Sequence, residues 1–347
     1  MLAHVAYAAG APSPTLVLSS DSLPESETEL RYALRDAREW LTEQGFDSIT
    51  KIALIAMSEH PLFDLDYQFV QVLPNDPMEF DLRGSCGHSV LASTVVASRL
   101  GWIDRLAPGI RARVRVLNNG DQMVCEVDES VRDRVTFTAH FLHHPEIRLG
   151  SLLSGGEPVT GLSLPLGIAR ISEISVGNPY VFVSAEEFGV NDVSELLGEN
   201  PDLYEKMNDV RREVALKRGF PENGAFPKVA ALLPDGDGTV AVRAISVPSW
   251  HPTIALTGAV CLGVASKIEG TIPNQLAGRA AHPEEPLLIR TPGNTVTTTA
   301  AVSGNRITST LSWASVPHKE VVFRGALDIK ALQPHVRGKE SLWLSPT

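Results

Sequence analysis

Along this chain, two kinds of helical pattern alternate with runs patterned for β-structure. Glu25–Gln44 sets Leu30, Leu34, Ala37 and Leu41 at helical spacing among charged residues, which predicts an amphipathic helix with one buried stripe. Pro201–Lys217 has the same charged character. Gly87–Leu100 and the run from Leu256 to about Ile268 differ, being small, apolar and nearly uncharged on every side. A helix of that composition is stable only when surrounded by other structure.

The β-patterned runs fall into two similar sets. Tyr7 and Thr15–Ser20 flank the turn Gly10-Ala11-Pro12-Ser13-Pro14. Lys51–Met57, Tyr67–Leu73, Arg111–Leu117 and Gln122–Val127 follow, the last two joined by the hairpin signal Asn118–Asp121. The second set is Gly167–Ser175, Tyr180–Val183, Val229–Leu233 and Val240–Ile245, and then Leu287–Ile289, Thr295–Val302, Ile307–Leu311 and Glu320–Leu327. One charged and one apolar helix per half predicts an α+β protein of two similar domains. Each is expected to wrap a mixed or antiparallel sheet around a central buried helix. The expected divisions are 1–160, with Lys51 and the helix that starts at Cys86; 161–320, with the second central helix over 258–268; and 321–347, a closing strand free to return to the first domain.

Composition narrows the class of function. The 347 residues are 43% hydrophobic and 20% charged, a globular balance with material for two cores of roughly 150 residues. A net charge of −11 argues against a general nucleic-acid or anionic-membrane surface, while a small anionic substrate needs only local donors. Ala255–Ala265 is about half the roughly 20 residues of a membrane span, and Met1–Gly10 lacks the pattern of a signal peptide. Cys86, Cys125 and Cys261 are odd in number and far apart, which does not read as a disulfide framework. A cytoplasmic location is expected.

The hexapeptide Gly84-Ser85-Cys86-Gly87-His88-Ser89 carries the most chemistry. It stands where a strand gives way to an apolar helix, and free N–H groups at a helix start favour an anion. A thiol there is biased toward thiolate and suited to exchanging a proton. Cys125, in a strand, and Cys261, inside the second helix, read as buried and inert. Leu256-Thr257-Gly258-Ala259 gives the second helix a similar end without a cysteine. Lys51 opens an apolar strand, where a desolvated lysine can act as a base. The histidines, among them His60, His88, His143, His144 and His251, show no metal-ligand spacing, and no nucleotide or serine-hydrolase signature is present. Neither a cofactor nor a metal is expected.

Taken in order, these segments resemble the methylaconitate isomerase (PrpF-type) branch of the diaminopimelate-epimerase superfamily over nearly the whole chain. Ser48–Ile55 is similar to the family's Thr-Ser-Lys-Val-Ala strand, Asp66–Val72 to its Asp-Tyr-x-Phe-x-Gln-Val strand, and Gly84–Gly87 to its Gly-Asn-Cys-Gly turn. Ser175–Val183 is similar to its Asn-Pro strand and Leu256–Cys261 to its second central helix. The resemblance implies a diaminopimelate epimerase-like fold with the substrate between two helix N-termini. It implies Lys51 and Cys86 as the proton-handling pair and Asn178, Thr257 and Gly258 as carboxylate donors. Ser85, Gly87, His88, Ser89, Ala259 and Ser13 are the further substrate-contacting positions expected on it. The implied activity is a cofactor-independent 1,3-proton shift, a double-bond migration on a small unsaturated carboxylic acid.

Departures from the family pattern bear on the substrate. Its Arg-Gly-Gly-Thr-Ser-Lys-Gly loop is here Ala9-Gly10-Ala11-Pro12-Ser13-Pro14-Thr15, its Arg-Thr-Ala-Arg-Arg stretch is replaced around His318-Lys319-Glu320, and its His-Pro-Ser-Gly turn by Thr291-Pro292-Gly293-Asn294. Each lost charge-assisted bond would cost about 1.5–3 kcal/mol in holding a carboxylate. The expected substrate therefore has fewer carboxylates than methylaconitate, as in specialised biosynthesis. A double-bond shift in an alkylated cyclic amino-acid precursor is one such reaction. The alternatives are an epimerase or racemase of an amino or hydroxy acid, a catalytically silent binding protein, and a cysteine hydrolase with His88 or His251 as base. A homodimer is compatible with the sequence.

Overall fold

The computed structural model describes residues 1–337 other than 74, 75, 77, 166, 223, 237, 247 and 248. Strands β1 (Leu2–Ala8) and β2 (Thr15–Ser19) form the expected hairpin, turned at Gly10 with φ +85°. The charged helix α1 (Glu27–Glu43) leads to β3 (Lys51–Met57), β4 (Leu65–Val72) and the short β5 (Phe80–Asp81). The apolar helix α2 (Gly87–Arg99) is followed by β6 (Arg111–Val116), β7 (Gln122–Val131), β8 (Arg134–Arg148) and β9 (Thr160–Leu164). Then come β10 (Gly167–Val176), β11 (Asn178–Ser184), the short α3 (Val193–Leu197), α4 (Pro201–Arg218), β12 (Lys228–Pro234), β13 (Thr239–Ser246) and β14 (Ser249–Trp250). Helices α5 (Leu256–Ala265) and α6 (Ile272–Leu276) precede β15 (Leu287–Arg290), β16 (Thr295–Val302) and β17 (Thr310–Asp328).

The pairings β1–β2–β3–β4–β6–β7–β8–β17–β1 close a barrel. Helix α2 lies inside it, buried at every position from Gly87 to Ala97. A second run of pairings, β9–β10–β11–β12–β13–β15–β16–β17, curves around α5, which is buried along its whole length. The order of connections recurs. β2 and β3 are parallel across α1, as β11 and β12 are across α3 and α4. β4 and β6 are parallel across α2, as β13 and β15 are across α5. In both cases the charged helix covers the outside of the sheet and the apolar helix fills the inside.

Amphipathicity accounts for that division. Leu30, Ala33, Leu34, Ala37 and Leu41 of α1 pack on Leu16, Leu18, Ile52 and Leu54, leaving the charged face of the helix to solvent. Val90, Leu91 and Val95 of α2 and Leu256, Val260 and Leu262 of α5 belong to one continuous core, because neither helix has a polar face to present to water.

Strand β17 corrects the sequence reading. Of the segments expected as separate strands, Glu320–Leu327 and only the last two residues of Ile307–Leu311 belong to this one strand, which begins at Thr310. Pro317 and His318 (φ +57°) interrupt its alternation where the register shifts between Val316 and Lys319. β17 pairs with β16 through its first part and with β1 through its second, so the expected boundary at 320/321 falls inside a strand. The part of the expected closing segment over 338–347 lies outside the described residues. Strands β8 and β9 were not expected from the sequence. The alternation of β8 runs through two adjacent histidines and a proline, residues with no strand preference.

Candidate active site

The two buried helices point their N-termini at one another. A Cβ on Gly87 would stand 2.7 Å from Cδ2 of Leu256, so glycine is required for the helix ends to meet this closely. The first N–H groups of both helices have no intrahelical acceptor and face the junction. Around it lies a cavity of about 40 Å³, with room for a few waters.

Asn178, the first residue of β11, ties the two helix starts together. Its Oδ1 accepts from the Ser85 N–H at 3.0 Å, and its Nδ2 donates to the Ser85 carbonyl at 2.7 Å and to Thr257 Oγ1 at 3.2 Å. All of these groups are buried, and buried polar atoms held by direct bonds fix a single geometry. Tyr67 adds a bond from its hydroxyl to the Cys86 carbonyl at 3.3 Å. Ser85 Oγ is buried without a hydrogen-bond partner among the described residues, which leaves it free to meet a ligand at the cavity wall.

Lys51 and Cys86 share this cavity. Lys51 opens β3, in register with Thr15 on one side and Gln71 on the other, and is buried. Burial alone would raise the Cys86 thiol. The Lys51 ammonium and the hydroxyl and N–H of Ser89 outweigh it and hold the thiol below its ordinary value. Cys125 and Cys261 lie in apolar surroundings that push both up to about 12. One thiol of three is therefore predisposed to ionise. Burial, reinforced by the Lys51 ammonium, drives His88 and His251 well below the usual imidazole value.

The expected positions sort clearly. Lys51, Ser85, Cys86, Gly87, Asn178 and Thr257 line the cavity together. Ser13, His88, Ser89, Gly258 and Ala259 are not on its wall. Ser13 accepts from the Thr50 hydroxyl at 3.0 Å, and Ser89 meets Thr15 Oγ1 at 2.9 Å. Gly258 is packed where a Cβ would come 2.5 Å from the Tyr180 hydroxyl, and Ala259 is fully buried. His88 is stacked on His251 with ring centroids 6.4 Å apart, and both of its ring nitrogens lack partners among the described residues. His251 does reach the cavity, with Nδ1 accepting from the Thr253 N–H at 3.2 Å. No hydrogen bond joins a histidine to Cys86 among the described residues, which leaves the cysteine-hydrolase alternative without its base.

Sequence reasoning missed Lys228, Phe226, Asp81, Phe69 and Gln71, all on the cavity wall. A signal for Lys228 was present. Lys228-Val229-Ala230-Ala231-Leu232 repeats the form of Lys51-Ile52-Ala53-Leu54-Ile55, a lone lysine opening an apolar strand. Phe226 carries no such signal. Its ring lies where a Cβ on Gly84 would be 2.0 Å away, a closeness only the folded chain creates.

The model of the family described as "PrpF protein" matches residues 43–316. The chain belongs to the PrpF family. Among its relatives is the 3-methylitaconate isomerase of Eubacterium barkeri, 25% identical over 85% of this chain and 89% of the relative. The 2-methyl-aconitate isomerase of Cupriavidus necator is 26% identical over 70% of this chain and 74% of the relative. Like them, this PrpF family member is an isomerase. The structure of a methylitaconate-delta-isomerase superposes with a TM-score of 0.65 at 22% identity, over 100% of this chain and 99% of the other. A probable proline racemase from Agrobacterium radiobacter K84 gives 0.62 at 14% identity, over 94% and 92%. These likenesses establish the mixed α/β fold with its closed barrel. Among the described residues, no helix is long and apolar enough to cross a membrane.

Proposed function

We propose that this PrpF family member moves a double bond in a small unsaturated carboxylic acid by a 1,3-proton shift, with Cys86 as base and Lys51 as acid. The observation that carries this reading is the thiol depressed by the neighbouring ammonium in a cavity beneath two helix N-termini. A thiol held below its ordinary value beside a lysine places in one cavity the base and the acid that a proton relay needs. The thiolate takes the proton from the carbon next to the conjugated system, and the C–H electron pair becomes a dienolate. Helix N–H groups at the junction stabilise the negative charge on its oxygens. Lys51 then gives its proton to the far carbon and the double bond ends displaced. The resulting thiol and neutral amine return to the starting pair by one proton transfer between them. General acid–base assistance of this kind contributes roughly two to four powers of ten.

Asn178 and Thr257 orient the helix ends, and Ser85 and Gly87 contact the substrate. Thr257 stands at the second helix start, where an epimerase working from both faces of one carbon would need a second acid–base group, so isomerisation is the better reading. The absent loop cations at Ala9 and Pro14 favour a substrate with fewer carboxylates than methylaconitate.

The decisive experiment incubates wild type and Cys86→Ser with unsaturated mono- and dicarboxylates in deuterated water. The expected result is solvent deuterium at the far carbon with wild type, and a rate lower by about a thousandfold or more with the variant. Wild type that labels none of the acids, or a variant that labels as fast, overturns the reading.

A further inference from the structure

We propose that Lys228 is the cation that receives the substrate's carboxylate. This rests on the proposed proton shift and names the group that holds the acid while Lys51 and Cys86 act on it.

Position is the first argument. Lys228 opens β12 as Lys51 opens β3, and each of these strands runs parallel to the one preceding an outer charged helix, with Lys51 in register with Thr15 and Lys228 with Tyr180. The recurring connectivity thus delivers one lysine from each half of the chain to one cavity, which also holds Cys86, Asn178 and Thr257.

The second argument is the state of the ammonium. Lys228 is half-buried and has neither a hydrogen-bond acceptor nor an ion-pair partner among the described residues. The Phe226 ring lies beside it, with Nζ 5.4 Å from the centroid. Asp81 is the carboxylate of the cavity wall, and it is taken up by Arg83 through Nε at 3.2 Å and Nη2 at 3.1 Å. A cation removed from water is costly to keep when its counter-charges, Asp81 and the Cys86 thiolate, act on it from beyond ion-pair distance, and a ligand carboxylate would offset that cost. Burial and the Lys51 ammonium pull Lys228 down to about 8, so most of the population remains charged at neutral pH and an arriving anion would complete it. The same ammonium would face the oxygens on which dienolate charge builds.

The test needs no knowledge of the substrate, because Cys86 can be alkylated by a carboxylate-bearing reagent, iodoacetate, or by its neutral analogue, iodoacetamide. The ratio of the two rates at Cys86, read by peptide mass mapping, cancels any change in thiolate fraction. Lys228→Gln should lower the ratio by about tenfold or more, the effect of one lost charge-assisted bond. Lys228→Arg should restore most of it, and Lys319→Gln, a buried lysine off the cavity wall, should leave it unchanged. Protection of Cys125 and Cys261 in the same digest verifies folding, and Lys228→Met replaces Lys228→Gln should that variant not fold. A ratio unmoved by neutralising Lys228, or lowered equally by Lys319→Gln, overturns the proposal. Because the ratio requires no turnover, its failure is distinguishable from a failure of deuterium labelling.

Discussion

The starts of helices α2 and α5 are the same device used in two ways. Both helices are apolar on every face, both follow a strand through a short turn, and both begin at the same cavity. At α2 the residue before the helix is Cys86, beside Lys51, and its thiol is held below the ordinary value. At α5 the residue before the helix is Ala255; the hydroxyl of Thr257 in its first turn accepts a hydrogen bond from Asn178, and the thiol of Cys261, a turn further in, is bonded to the Ile174 carbonyl at 3.6 Å and pushed up to about 12. Backbone geometry alone does not make a reactive group. What separates the two ends is one ammonium placed within reach of a side chain that can ionise. The asymmetry fits division of labour, with proton handling at α2 and docking at α5.

Removing Lys51 should break the contrast most severely. Lys51→Gln should cost about a hundredfold or more in activity. It should also move the midpoint of Cys86 alkylation by iodoacetamide upward in pH, since burial would then be opposed only by the hydroxyl and N–H of Ser89. In wild type the alkylation rate should fall only below a pH lower than that of an ordinary thiol. A midpoint that stays in place would show that Lys51 does not govern the thiol.

Asn178→Ala tests whether the helix starts must be tied. It strands the Ser85 N–H and carbonyl, each a loss of about 1–3 kcal/mol when buried and unsatisfied. Denaturant unfolding should register a lower midpoint, and activity should fall along with it. Unchanged values in both measurements would mean that close packing of Gly87 on Leu256 suffices.

The smallest effect is expected at the inert thiol. Cys261→Ala should lower stability by about 1 kcal/mol and leave activity within about twofold. Folded Cys261 keeps its proton until about 12, whereas an unfolded thiol loses it near roughly 8.5. The unfolded state therefore binds fewer protons above that point, and stability contributed here is lost as pH rises through the alkaline range. The variant should show a shallower alkaline decline than wild type. A large loss of activity in Cys261→Ala would erase the distinction between the helices.

Periodicity and local chemistry determined a good deal by themselves. Charged helices with a single apolar stripe go outside and helices apolar all round go inside, because that is where their surfaces are satisfied. The hairpins at Gly10 and Asn118–Asp121 follow from turn chemistry, and Cys86 stood out because a thiol between glycines at a helix start has few structural uses. Strand β17 was read as two because a bulge at Pro317 and His318 breaks alternation that hydrogen bonds to β1, β8 and β16 carry through.

Only the tertiary structure decided which residues share the cavity. It brought Lys228 and His251 to the wall and left Ser13, Ser89 and His88 behind it. Residues 51, 86, 178, 228 and 257 are far apart in the chain, and nothing local encodes their distance. That depends on strand register and on the contact between two helix ends, which exist once the barrel has closed.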